Sequence, residues 1–280
     1  MSKQHLNGKS AMDHVILHRS PRLKKPIMLA AWPGVSDVAL EVAAYLIDRL
    51  DAKEFAEIDP TEFFTPVGIQ VQDNVVQVPV FPENKFYVIK TPKGKNDIII
   101  FCGEAQPDSN HYDLARVVLN VAERFKVRRI YTCAAAMVQH SVQKSRVLVA
   151  ATDAELIPEL KKYDITLVGD FQIRGLNGLL LGAARERGME GVCILGETPQ
   201  YAAEMPNPIA SYAVLGSLSQ ILGLELDLSD IAKDAKQMTE EMKMLSQEFM
   251  TKYIKHFTQP IWELNPSEEF EDDDYLGEDN

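Results

Sequence analysis

Six side chains combine hydrogen-bonding chemistry with a place just beyond an apolar run or in a nearby loop: Trp32, Glu104, Gln106, Asn177, Glu197 and Asn207. Trp32 begins Trp32-Pro33-Gly34, Glu104 and Gln106 sit in Gly103-Glu104-Ala105-Gln106-Pro107, and Glu197 sits in Gly196-Glu197-Thr198. Open α/β sheets bind ligands beyond the carboxyl ends of their strands, where backbone amides and helix N-termini converge. Two carboxylates, several amides and one indole on such a rim suit a sugar-like or base-like ligand, read by hydrogen bonds and stacking. The same residues also suit a structural task, since a carboxylate accepts from free helix N–H groups and an Asn beside glycine serves a left-handed turn. Paired carboxylates could do acid/base work, but sequence spacing does not encode the separation that such a mechanism needs. Both readings stand at this level.

Other chemistries lack their residues. Arg174-Gly175-Leu176-Asn177-Gly178 could form an anion nest at a helix start, yet no GK[ST] follows and the glycine spacing is not GxGxxG. The six histidines include no HxH or HExxH pair, and no GxSxG elbow occurs. Cys102, Cys133 and Cys193 are odd in number and widely spaced, which reads as buried thiols rather than a disulfide framework or a zinc site. Neither a cofactor nor a metal is expected.

The elements that must hold the rim follow from periodicity. An apolar run over 27–32 ends at Pro33-Gly34, and Ala39, Val42, Ala43, Leu46, Ile47 and Leu50 then recur at helical spacing. The unit returns with a strand over 98–102 and a helix capped by Asp108 or Ser109, whose buried face is Leu114, Val117, Val118, Val121 and Phe125. Further strands are expected over 130–134, 147–151, 165–168 and 192–195, with a small-residue loop at Ala134-Ala135-Ala136. Helices are expected over 153–162, 179–187 and 208–222, the last stopped by Gly223. Strands alternating with helices predict an α/β fold, a mainly parallel sheet covered by helices on both faces.

Two segments stand apart. Residues 51–95 carry Pro60, Pro66, Pro79, Pro82 and Pro92 among β-prone pieces, which predicts a β-rich insertion or arm of short edge strands. After residue 227, Ile231, Ala235, Met238, Met242, Leu245 and Phe249 form a narrow seam on an amphipathic C-terminal helix, to be covered by the chain's own body or by a second subunit. The expected division is a polar lead-in over 1–26, an α/β core domain over 27–227, this helix over 228–257 and an acidic tail over 258–280. The tail is too polar to offset its ordering entropy and is expected to be disordered.

The net charge of -12 is located mostly in that tail, where residues 266–280 hold eight acidic groups and no Lys or Arg, leaving -4 for the rest. The body is therefore nearly balanced, which argues against a nucleic-acid surface. No stretch reaches the roughly 18 uninterrupted apolar residues of a membrane span, and the lead-in has no apolar signal core. A soluble, cytoplasmic protein is expected.

Taken in order, Ala31-Trp32-Pro33-Gly34, Gly103-Glu104-Ala105-Gln106-Pro107, Gly175-Leu176-Asn177-Gly178-Leu179-Leu180-Leu181 and Leu195-Gly196-Glu197-Thr198 resemble the proteasome assembly chaperone 2 family, over about residues 25–235. The resemblance implies a phosphorylase/hydrolase-like fold and homo-oligomers, with a trimer favoured. Family members that help assemble the 20S proteasome imply a protein partner, and the lack of a catalytic constellation, the methionines Met238, Met242 and Met244 and the acidic tail favour a non-catalytic scaffold or assembly-chaperone role. Some archaeal members dock by a C-terminal hydrophobic-Tyr-any residue motif. This sequence departs from it, with Tyr275 placed before Leu276 and Glu278-Asp279-Asn280 last. The alternative is a small-molecule sensor or enzyme of nucleoside-phosphorylase kind that uses the strand-end rim.

Overall fold

The structure, a computed structural model, describes residues 12–92, 95–139, 144–167 and 169–258, with side chains as far as residue 244. In chain order its strands are β1 (Val15–Leu17), β2 (Ile27–Ala31), β3 (Lys53–Ile58), β4 (Val71–Gln72), β5 (Val75–Val76), β6 (Asn84–Ile89), β7 (Ile98–Gly103), β8 (Arg129–Val138), β9 (Val147–Ala151) and β10 (Glu190–Pro199). The helices are α1 (Val38–Arg49), α2 (His111–Arg124), α3 (Ile157–Leu160), α4 (Leu176–Glu186), α5 (Pro208–Leu222) and α6 (Ser229–Thr258).

Eight strands form one sheet in the order β1-β3-β6-β7-β2-β8-β10-β9. The four central strands β7, β2, β8 and β10 run parallel, and antiparallel pairs flank them on both sides. Alternation sorts β2 cleanly. Met28, Ala30 and Trp32 join the core under α2 and α4, while Ile27, Leu29 and Ala31 join the core under α1 and α5. Both faces are buried, as a central parallel strand requires, and this is why its sequence is an unbroken apolar run.

The segment over 51–95 supplies two strands of this sheet. β6 lies between β3 and β7 rather than at an edge, because its six residues contain no proline; Pro79, Pro82 and Pro92 all fall outside it. β3 was not legible as a strand. Its register shifts between Glu54 and Ala56, so Phe55 and Ala56 are both buried while Glu54 and Glu57 both face outward. A bulge of this kind breaks the period-two signal that sequence reading relies on. Only the β4–β5 hairpin stands as a separate two-stranded sheet, turned at Asp73 and Asn74, both with positive φ as a tight hairpin turn demands.

Three local expectations change. Residues 165–168 form no strand among the described residues; Thr166 makes an isolated bridge to Leu148. α2 starts at Asn110 in the left-handed region with no side-chain cap, so neither Asp108 nor Ser109 holds that role. Ala134, Ala135 and Ala136 are not a loop, since β8 continues through them in parallel register with Leu195, Gly196 and Glu197.

The amino end of the parallel strands is pinned by Arg129, which is buried and donates from Nε to Glu190 at 2.8 Å and from Nη1 and Nη2 to Glu159 at 2.8 and 3.0 Å. These carboxylates raise the guanidinium pKa, with the Glu159 contact the leading cause. The chain divides into two compact units after Met238. In the first unit Ile231 and Ala235 of the seam are buried; in the second, α6 continues as helix to Thr258. The side chains of Leu245 and Phe249, and the acidic tail, lie outside the described residues.

Candidate functional site

The rim at the carboxyl ends of the central strands is built first by an aromatic row. Trp32 meets Phe101 at 4.8 Å between ring centroids, Phe101 meets Phe86 at 4.8 Å, Phe86 meets Phe55 at 6.1 Å, and Phe55 meets Phe125 at 5.2 Å. The row crosses β2, β7, β6 and β3 on one face. Trp32 is its head and is fully buried. Gly103 makes room for the indole, since a Cβ there would fall 2.6 Å from Cδ1 and Nε1 of Trp32. The expected ligand platform is therefore a core residue in this structure.

Asn177 and Gln106 clasp the rim around it. Asn177, buried in the first turn of α4, accepts the Trp32 N–H at 3.1 Å through Oδ1 and donates from Nδ2 to the Trp32 carbonyl at 3.1 Å. Its amide thus imitates a neighbouring strand. Gln106 donates from Nε2 to the Pro33 carbonyl at 2.6 Å and accepts the Leu176 N–H at 3.0 Å through Oε1. That bond caps α4, whose N-terminal Gly175 has φ of 73° and offers no side chain. A Cβ on Gly175 would also stand 2.9 Å from the Gln106 amide, so the glycine is needed both for its backbone angle and for the close approach.

The two carboxylates do not meet in one site. Glu197 is buried, and Arg146 donates from Nε to its two oxygens at 3.0 and 2.9 Å; the Glu197 N–H donates to the Arg146 carbonyl at 3.1 Å. Glu197 also raises the Arg146 pKa, by hydrogen bonding first and charge second. Glu104 is exposed and accepts the Glu83 N–H at 2.8 Å, while its own N–H donates to the Glu83 carbonyl at 2.9 Å, which extends the β6–β7 ladder by one rung. Asn207 is buried and caps α5, accepting from the N–H groups of Ile209 and Ala210 at 3.1 and 3.3 Å, with its Nδ2 directed at Thr198 Oγ1.

A cavity of about 550 Å³ opens beside this clasp. Ala134–Ala136 and Leu195 floor it, Met137, Phe171 and Ile173 add apolar wall, and Gln106, Asn177, Glu197, Arg146 and Arg174 contribute the polar atoms. Of the six expected rim residues, Gln106, Asn177 and Glu197 line this cavity; Trp32, Glu104 and Asn207 are not among its described walls. Arg146 is the residue that sequence reading missed. It directly precedes β9 and stands opposite Glu197 once β9 and β10 pair antiparallel, with Gly196 against Val147. Pairing 147–151 with 192–196 was the signal that could have found it, through cross-strand charge complementarity.

The three thiols are free. Burial pushes Cys102 up to about 11, Cys193 up to about 12 and Cys133 well above its ordinary value, the reverse of a reactive cysteine. The β3 bulge also brings His18 Nε2 within 3.6 Å of a carboxylate oxygen of each of Glu54 and Glu57. Lys85, ion-paired with Glu83, lies 3.7 Å from Glu54 and supplies positive charge there. No described helix is long and apolar enough to cross a membrane.

Comparison with known proteins places this geometry. The model of the PAC2 family matches residues 28–246. The protein MJ1210 of Methanocaldococcus jannaschii is 28% identical over 81% of this chain and 87% of its own length. Among solved structures, the Pyrococcus furiosus protein PbaB, described as an archaeal proteasome activator, superposes with a TM-score of 0.70 at 29% identity, covering 83% of this chain and 98% of that one. The Mycobacterium tuberculosis proteasome-assembly chaperone homologue Rv2125 shares the fold with a TM-score of 0.66 at 21% identity, over 78% of this chain and 94% of its own.

Proposed function

This chain belongs to the PAC2 family, and on that premise we propose that it is a non-catalytic, oligomeric scaffold that assists the assembly of another protein complex in the cytoplasm. The proteasome is the first partner to test, because the P. furiosus relative is described as a proteasome activator. A trimer is the favoured ring.

One observation carries the reading. The polar side chains expected at the strand ends are engaged within the chain: Asn177 with the Trp32 backbone, Gln106 with Pro33 and Leu176, Glu197 with Arg146, and Glu104 with Glu83. Catalysis needs groups aimed at a substrate, and groups spent on holding strand ends together are not available for it. The free cavity of about 550 Å³ favours a second reading, a small-molecule sensor whose ligand contacts Arg146, Arg174 and the alanine floor.

Purified chain mixed with purified 20S proteasome subunits, followed by native gel, separates the two. The scaffold reading expects a complex with subunits or assembly intermediates and faster appearance of the assembled particle. No complex, together with a metabolite pool that raises the melting temperature of the wild type and not of Arg174→Ala, would favour the sensor.

A further inference from the structure

β2 and β8 separate at the carboxyl end of the sheet. They stay paired only as far as Ala30 against Thr132, whereas β8 keeps its parallel register with β10 as far as Val138. The β2 backbone is compensated, because the Asn177 amide makes the two bonds to Trp32 that a neighbouring strand would make. β8 has no such compensation: past Thr132, no strand among the described residues lies on its β2 side. The cavity of about 550 Å³ occupies this split, with Gly34 and Val35 on one side and Ala134, Ala135 and Ala136 on the other. A split between strands at their carboxyl ends is where open α/β sheets take small ligands.

The charge left over in the split has one sign. Glu197 is the single carboxylate on its described wall, and Arg146 holds both of its oxygens. Gln106 and Asn177 spend their amides on Pro33, Leu176 and Trp32. Arg174 also lines the cavity and has no hydrogen bond or ion pair among the described residues. Its guanidinium is therefore free to meet an anion, with five N–H donors in a planar fork. Much of the remaining wall is apolar, and Phe171 and Met137 are 41% and 54% exposed beside the alanine floor. An apolar body laid against them takes that surface out of water, and the volume suits a small molecule.

We infer that the split binds a small organic anion, with its carboxylate, sulfonate or phosphate group on the Arg174 guanidinium and a ring-sized apolar body over the alanine floor, against Phe171 and Met137. The inference rests on the small-molecule reading given above and supplies its ligand with a charge and a shape. A cation fits poorly, since its counter-charge would have to be taken from the Arg146–Glu197 pair. A free sugar would leave Phe171 and Met137 uncovered and Arg174 unmatched.

The test is fluorescence titration of the full chain with anilinonaphthalenesulfonate, an aromatic anion, beside phenylnaphthylamine, the same ring system without the sulfonate. Wild type is compared with Arg174→Gln and Phe171→Ala, both at exposed positions, so each variant is expected to keep the wild-type melting temperature. Wild type should bind the sulfonate more tightly than the neutral amine. Arg174→Gln should weaken the sulfonate about tenfold, the order of one charge-assisted contact, and leave the amine unchanged. Phe171→Ala should weaken both probes. If Phe171→Ala weakens both but Arg174→Gln leaves the sulfonate untouched, or weakens the two alike, the cavity takes apolar bodies without regard to charge; that overturns this inference and keeps the small-molecule reading. No binding, or probes that neither substitution alters, overturns both.

Discussion

The strand-end rim and the hairpin arm use their side chains in opposite ways. At the rim, polar residues that look available in sequence are turned inward: the Asn177 amide completes the backbone of Trp32, and Arg146 covers Glu197. On the arm, aliphatic residues that ought to be inside are outside, with Val67, Val78 and Val80 among the most exposed. A buried polar group must be satisfied or it destabilises the fold, and an exposed apolar face must be covered or it aggregates. The rim meets most of its requirement through its own chain, although the buried Trp32 indole Nε1 has no partner among the described residues. The aliphatic side chains of the hairpin stay exposed, with no cover among the described residues.

The largest effect expected from breaking this contrast is at the rim. Trp32→Ala removes the head of the aromatic row and leaves a core cavity, for a loss of about 3–5 kcal/mol. At roughly 2–4 °C per kcal/mol for a chain of this size, the melting temperature should fall by about 6–20 °C. Asn177→Ala follows, because it strips the partners from a buried N–H and a buried carbonyl of Trp32; a loss of about 1–3 kcal/mol is expected by chemical denaturation. If Asn177→Ala melts with the wild type, the clasp is not structural and its amide is free for a ligand.

Arg146→Ala takes the guanidinium from a buried carboxylate. It should lower the melting temperature at pH 7, and adding Glu197→Gln should recover part of the loss by removing the buried charge. A smaller effect lies at Glu41, whose carboxyl pKa is raised above the ordinary 4.5, first by burial, against the Ser211 hydroxyl, with Asp234 and Asp37 adding to the rise. The protonated form is the one the fold favours. Its contribution is full below pH 4.5 and is lost as the pH rises through the folded value. Glu41→Gln should therefore be more stable than wild type at pH 7, with the gap closing below pH 4.5; a gap that widens in acid would reverse the assignment.

Much of the frame was legible because the central strands are buried on both faces and leave unbroken apolar runs, as at Ile27–Ala31 and Ile98–Phe101. β3 was hidden because its bulge sets two buried residues side by side between outward carboxylates. At the rim, Gln106 and Asn177 could be picked out, but their partners are backbone groups 70 and 145 positions away, fixed only by the order of strands. Trp32 looked like a stacking surface because a strand-end indole reads the same from sequence whether it faces water or Phe101. Local composition carries the hairpin, which falls within the stretch over 51–95 expected to be β-rich; its exposure is a three-dimensional fact.

The most direct measurement pairs the two regions in one experiment. Trp32→Ala and Val71→Thr/Val76→Thr/Val78→Thr are each compared with wild type by melting temperature. The account predicts that the rim substitution lowers the melting temperature clearly, while the hairpin substitutions, all at exposed positions, cost no more than about 0.5 kcal/mol. A rim variant that melts with the wild type, or a hairpin variant that loses several kcal/mol, contradicts it.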